Sequence, residues 1–299
     1  MRRSVAVAVV LLLAVVACSS SKGATPPATT TSTSTSTTLP ASDSGATTST
    51  SVEPTTLGGN EGFQTRKPGT LVIGTERLSP PWYLGATADV VTGGFEFDLG
   101  RELASRLGVG SVKVVQSSLV VLMTGQDCKC DVMIGGITIT DGRARTLDLS
   151  EPYLAADQGV VMRTGATIAS ASEGAALRWG VTVRNTTGQD VIKSRVKPAV
   201  APELFVNEDE ALRRVADGRL DALMLDTPDA LAIALADPRF VVAGQFRTGE
   251  LDAVALSLGS PNTAIINEVI RDMRNDGTID RLLRLYLGIE PANVRPIPP

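Results

Sequence analysis

The chain has 299 residues, a net charge of −4 and no histidine. The mild acidity, with no cluster of Lys and Arg beyond the first residues, excludes the basic face that nucleic acid binding demands. Without histidine the commonest metal ligand and general base are gone, and with them Ser-His and Cys-His nucleophiles, so no catalytic residue, metal or other cofactor is expected.

Residues 1–17 carry two Arg residues and then an apolar run from Val5 to Ala17, too short to span a bilayer comfortably and built like a secretory signal. The end of the run, Val15-Val16-Ala17-Cys18, resembles the lipobox of bacterial lipoproteins, which implies cleavage before Cys18 and a lipid on that residue. Residues 18–65 are rich in Ser, Thr, Pro, Ala and Gly and offer too little apolar surface to offset the cost of ordering. As a flexible coil of about 45 residues, this linker spans on the order of 35–40 Å and would tether a globular domain near a membrane.

From residue 66 onward short β-rich runs alternate with amphipathic helices, the pattern of an α/β protein. Thr70 to Thr75 reads as a strand, and Phe95, Leu99, Leu103 and Leu107 recur every four residues as one helix face that ends at Gly108. Val112 to Val115 and Val132 to Ile134 follow as strands. The QDCKCD segment then raises the state of Cys128 and Cys130. Export favours pairing, a bridge between residues two apart is feasible, and two free thiols remain the other reading. Two soft ligands without a histidine fall short of a zinc site.

After an apolar segment around Tyr153 to Met162 the pattern repeats. Gly180 to Val183 is a strand, Asn207 and Glu210 have the spacing of a capping box before Leu212 and Val215, and Gly218 stands where a helix stops. Ala222 to Leu225, Val241 to Ala243 and Leu251 to Leu258 read as strands, Ala264 to Asn275 and Ile279 to Leu287 as helices. The Pro-rich tail from Pro291 reads as loose. Two similar halves predict two lobes with a cleft, divided as lobe 1 at 66–160 and 249–290, lobe 2 at 161–248, and a tail at 291–299.

The stretch GGITITDGR, Gly135 to Arg143, puts small residues, a Thr hydroxyl and an Arg directly after a buried strand. An Arg fork there is suited to gripping a carboxylate through two parallel hydrogen bonds. The chain also carries, in order, PPWY (80–83), GFEFDLG (94–100), DVMIGGITITDGR (131–143), LSEPY (149–153), NTTGQD (185–190), GRLDALMLD (218–226) and NDGTIDRLLRLYLG (275–288). Together these resemble the family 3 solute-binding proteins, the extracellular amino-acid receptors of ABC importers, across about residues 69–288.

The resemblance implies a two-lobed periplasmic-binding-protein-like fold of type II. It also implies that Arg143 binds the ligand α-carboxylate beside Gly136 and Thr138, completed from the second lobe by Thr187 and Gly188 of the loop at Asn185, where relatives have Gly. Asp226 matches the acid for the α-ammonium, and Glu76 the position facing the ligand side chain, which favours a cationic or amide-bearing ligand. Ser79 and Leu119 stand where relatives carry two aromatics, so that clamp is missing. Trp82 is either the cover of the pocket or a core residue of its lobe. A monomeric, lipid-anchored receptor on the extracytoplasmic face of the cell membrane is expected, working with ABC permease subunits and making no bond. The alternatives are a sensor domain signalling to a membrane partner and, less favoured, an enzyme like cyclohexadienyl dehydratase.

Overall fold

The computed structural model describes residues 62–183 and 185–299; the lipid site expected at Cys18 lies outside the described residues. In chain order the first elements are β1 (Thr70–Thr75), α1 (Phe95–Arg106), β2 (Ser111–Gln116), α2 (Leu119–Met123), β3 (Val132–Met133), α3 (Asp141–Ala144) and β4 (Leu147–Ala155). A second group comprises β5 (Gln158–Arg163), α4 (Ala171–Gly174), β6 (Trp179–Thr182), α5 (Thr186–Val191), β7 (Glu203–Phe205), α6 (Glu208–Ala216), β8 (Ala222–Asp226), α7 (Thr227–Ala236) and β9 (Phe240–Phe246). Strand β10 (Leu251–Ser257) and helices α8 (Thr263–Asn275) and α9 (Thr278–Leu287) complete the order. None of the described helices is long and apolar enough to cross a membrane.

Two five-stranded sheets result, β2-β1-β3-β10-β4 and β7-β6-β8-β5-β9. Each central strand is buried on both faces, which is why TLVIGT reads as an unbroken apolar run rather than an alternation. Leu71 and Ile73 face the core formed with α1, α8 and α9, while Val72 faces a smaller cluster containing Met133, Leu147 and Cys130. The second sheet repeats the plan, with Val160, Trp179 and Met224 on one side and Val161, Phe205 and Leu223 on the other.

Helix α1 shows how the local signals act. Gly94, at φ 115°, lies so close to the Trp82 carbonyl that a Cβ could not fit; Glu96 and Asp98 then occupy the positive end of the helix dipole. Phe95, Leu99 and Leu103 become fully buried, and Gly108, at φ 71°, ends the helix in a left-handed turn. Cys128 and Cys130, both buried, have their sulfurs bonded at 2.03 Å and pack against Gly74 and Met133 under the first sheet.

The chain passes between the sheets at Ala156–Asp157, slightly before the boundary at 160–161 read from the sequence, and returns at Arg247–Glu250. The two passages are tied together. Asp157 accepts from the backbone N–H of Thr248 and of Gly249, each at 2.8 Å, and Ala156 N–H donates to the Glu250 carbonyl at 2.9 Å. The tail is not loose. It leaves α9 on the first lobe and pairs along β9 on the second, with Gln245 N–H donating to the Arg295 carbonyl and Ile297 N–H to the Gln245 carbonyl. Val294 and Ile297 are buried there, and it is their side chains that hold a Pro-rich segment in place.

Candidate functional site

A cavity of about 530 Å³ lies between the two sheets. Its first-lobe wall includes Glu76, Arg77, Leu119, Gly136 and Arg143; its second-lobe wall includes Asn185, Glu208, Asp209, Asp226 and Asp229. Among the described residues five carboxylates and two guanidiniums therefore face one space, a surplus of negative charge that favours a cationic guest.

Arg143 is held by a turn of its own segment. Thr140 caps α3 by accepting from the Arg143 N–H at 3.2 Å, and Arg143 Nη1 donates to the Thr138 carbonyl at 2.6 Å. Among the described residues Arg143 makes no ion pair: Asp148, which could have neutralised it, accepts instead from Thr263 and from the backbone at Gly259 and Ser260. The guanidinium thus reaches the cavity with most of its donors available.

Asp226 ends β8 and stands in the capping position of α7, but its side chain makes no capping bond. Its Oδ1 accepts from Gln158 Nε2 at 2.7 Å. The same nitrogen lies 2.7 Å from Glu250 Oε2 and 3.2 Å from Thr187 Oγ1, and Gln158 Oε1 accepts from Asn185 Nδ2 at 2.8 Å. Gln158 is fully buried at the first residue after the passage between lobes. It therefore fixes Asp226 to the second passage through Glu250 and to the start of α5 through Asn185. Sequence reasoning passed over it as part of an apolar segment; the one available signal was a polar amide inside the run QGVVM.

Burial pushes the Asp226 carboxyl up to about 7, helped by the like charge of Asp229 and opposed by the Gln158 hydrogen bond and the positive charge of Arg77. Glu208 reaches solvent, yet loss of hydration between the walls, followed by the charges of Asp229, Asp209 and Asp226, pushes it up to about 7 as well. An anionic wall that resists ionising is relieved by a cation placed between its members.

The remaining expected residues fall into two groups. Glu76, Leu119 and Gly136 line the cavity, although Glu76 Oε1 also accepts from the Leu119 N–H at 2.8 Å and so caps α2. Trp82, Thr138, Thr187 and Gly188 do not line it. Trp82 is buried edge-on against Phe95 with centroids 5.9 Å apart, and Arg77 lies over its ring. Thr138 is buried in a bridge to Asp252 and offers its carbonyl to Arg143. Asn185 takes the Gly188 N–H at 2.7 Å and the Thr187 hydroxyl at 3.3 Å, so the side chain of this loop satisfies the groups expected to meet a carboxylate.

Arg77, the chain neighbour of Glu76, lines the same cavity. It crosses the cleft: Nη1 is 2.5 Å from Asp229 Oδ1 on the second lobe, while Nη2 is 3.7 Å from the fully buried Glu96 on its own lobe. Burial raises the pKa of Glu96, against the effects of Arg77, the Tyr153 hydroxyl at 2.8 Å and the Gly136 N–H at 2.8 Å.

The chain matches the family model for bacterial extracellular solute-binding proteins, family 3, over residues 71–289. It belongs to that family. The L-cystine-binding protein TcyJ of Escherichia coli K12 is 25% identical over 229 residues, covering 75% of this chain and 85% of that one. The lysine/arginine/ornithine-binding periplasmic protein of the same strain is 26% identical over 233 residues, covering 73% and 88%. An ancestral arginine-binding protein, solved with glutamine bound, superposes with a TM-score of 0.60 at 31% identity and covers 75% of this chain and all of that one. The two-lobed type II fold of the family 3 proteins is thus the fold of this chain, and the cavity between its sheets is the cleft of a solute-binding protein.

Proposed function

We propose that this family 3 protein is a receptor that closes its two lobes on one α-amino acid, favouring a cationic or amide-bearing side chain, and delivers it to the permease of an ABC importer. The observation that carries this reading is the pair Arg143 and Asp226, a guanidinium and a carboxylate on opposite walls of one cavity. An α-amino acid presents the complementary pair, a carboxylate to the first lobe and an ammonium to the second. The surplus of wall carboxylates supports a cationic side chain, as do relatives named for arginine, lysine and ornithine. Lipid attachment at Cys18 would hold the receptor at the outer face of the cell membrane, with residues 18–65 as its tether. Gly136 and Leu119 would border the ligand from the first lobe, with Glu76 near its side chain.

The test is thermal unfolding of the full chain in detergent against the twenty amino acids, ornithine and citrulline. A ligand at about 100 times its dissociation constant adds about 2.7 kcal/mol, an upward shift of several degrees. Basic amino acids are expected to shift the midpoint; a panel with no shift overturns the reading, and a shift by Asp or Glu alone overturns the side-chain preference. Loss of uptake on deletion of the gene separates transport from sensing.

A further inference from the structure

Arg77 has the geometry of a ligand that belongs to the protein. Its guanidinium carbon lies 4.3 Å from the centroid of the Trp82 ring, a cation–π contact on the first lobe. The guanidinium passes over Gly136, at φ 63°, so closely that a Cβ there would collide with Nη2. It ends on Asp229 of α7, across the cleft. Asp229 is therefore already occupied by a cation, and a ligand bringing a positive side chain meets both an acid it could pair with and the guanidinium that holds it.

Releasing Asp229 leaves Arg77 far from stranded. Glu96 and the Trp82 face remain beside it on its own lobe. The contact with Asp229 is the one that opening the lobes must break, and the one a ligand can replace.

We propose that Arg77 is a specificity-determining residue of the cleft, a tethered guanidinium that competes with the cationic end of the ligand for Asp229. This rests on the amino-acid reading of the site and adds to it that the preference for a charged side chain is set by a contest across the cleft. The strength of that preference depends on how readily Arg77 gives way.

The test breaks the ion pair from either side. L-arginine and L-citrulline, close in shape and different in charge, are titrated calorimetrically into the full chain and into Arg77→Gln and Asp229→Asn variants. Arg77→Gln frees the acid and is expected to raise the arginine-to-citrulline affinity ratio at least tenfold; Asp229→Asn removes the acid and is expected to lower it at least tenfold. A pair that merely holds the lobes shut would weaken both ligands alike in both variants, and that result overturns the proposal. If Arg77→Gln misfolds because Glu96 is left uncompensated, the double variant Arg77→Gln/Glu96→Gln removes the buried acid together with its partner and must show the same rise. Binding with an unchanged ratio defeats the Arg77 role alone, whereas no binding of either amino acid by any form, together with a thermal panel that shows no shift, defeats the amino-acid reading with it.

Discussion

The two walls of the cleft are built in opposite ways. On the first lobe Arg143 is set by its own segment: Thr140 caps the short helix α3, and Thr138 receives the guanidinium, all within six residues. On the second lobe Asp226 is set by Gln158, which is also bonded to Asn185 and Glu250, so four separate segments meet at one amide. A group held by a local turn can be altered with little cost to the fold. A group held by a buried network cannot, because each lost partner leaves another polar atom unsatisfied.

Arg143→Ala is the sharpest way to expose the first wall. Removing a charge-assisted, bidentate partner for a carboxylate should cost about 3 kcal/mol of binding, roughly a hundredfold in affinity. Because the side chain is half-buried and makes no ion pair among the described residues, the unliganded melting midpoint should stay within about 1 °C, since surface substitutions of this kind seldom move stability. Calorimetric titration with the amino acid found in the thermal panel, together with a melt of the unliganded variant, checks both halves. Full-strength binding by this variant would refute the carboxylate assignment.

The same contrast decides what the sequence could disclose. The first wall and the helix behind it were legible because their signals are local: a hydroxyl and an Arg at fixed spacing after a buried strand, and Phe95, Leu99 and Leu103 on one face of α1. Gln158 was not, because its partners lie 27, 68 and 92 residues away and no window of sequence contains them. Helix α7 escaped notice for a different reason, since TPDALAIALA is apolar almost all round and leaves no stripe to detect. Glu76 lines the cavity, but its bond to the Leu119 N–H at the start of α2 depends on how two loops cross in space.

The second wall is probed through pH. The Asp226 carboxyl is raised to about 7, so it is largely neutral below that pH, and the ammonium of a ligand needs it ionised. Affinity should therefore fall as pH drops through about 7, by up to tenfold per unit. Stability of the unliganded protein runs the other way. A carboxyl whose folded pKa lies above its unfolded value contributes stability that is fully present below the unfolded pKa near 3.8 and is lost as pH rises through about 7. Asp229, Glu250, Glu208, Asp252 and Arg77 all act on this group, so the limb will be broad. Gln158→Leu removes the hydrogen bond that lowers the Asp226 pKa, and the binding midpoint should move to higher pH, which a purely structural defect would not produce. Titrations from pH 5 to 9 on both proteins decide it; an unmoved midpoint would show that Gln158 does not tune Asp226.

Thr140→Ala asks whether the first wall is as self-contained as its hydrogen bonds imply. The substitution removes the cap on the N–H of Arg143 and nothing in the second lobe. A lost N-cap costs about 1 kcal/mol. In an ordinary helix that loss spreads over several turns, but α3 is a single turn and its third residue is Arg143. The loosening should fall on the guanidinium itself, lowering ligand affinity roughly fivefold if most of that energy appears in binding. The pH midpoint set by Asp226 should not move, because among the described residues no bond joins Thr140 to the Gln158 network. A parallel shift in that midpoint would mean the two walls are coupled through the hinge, and the division between a local wall and a networked one would fail.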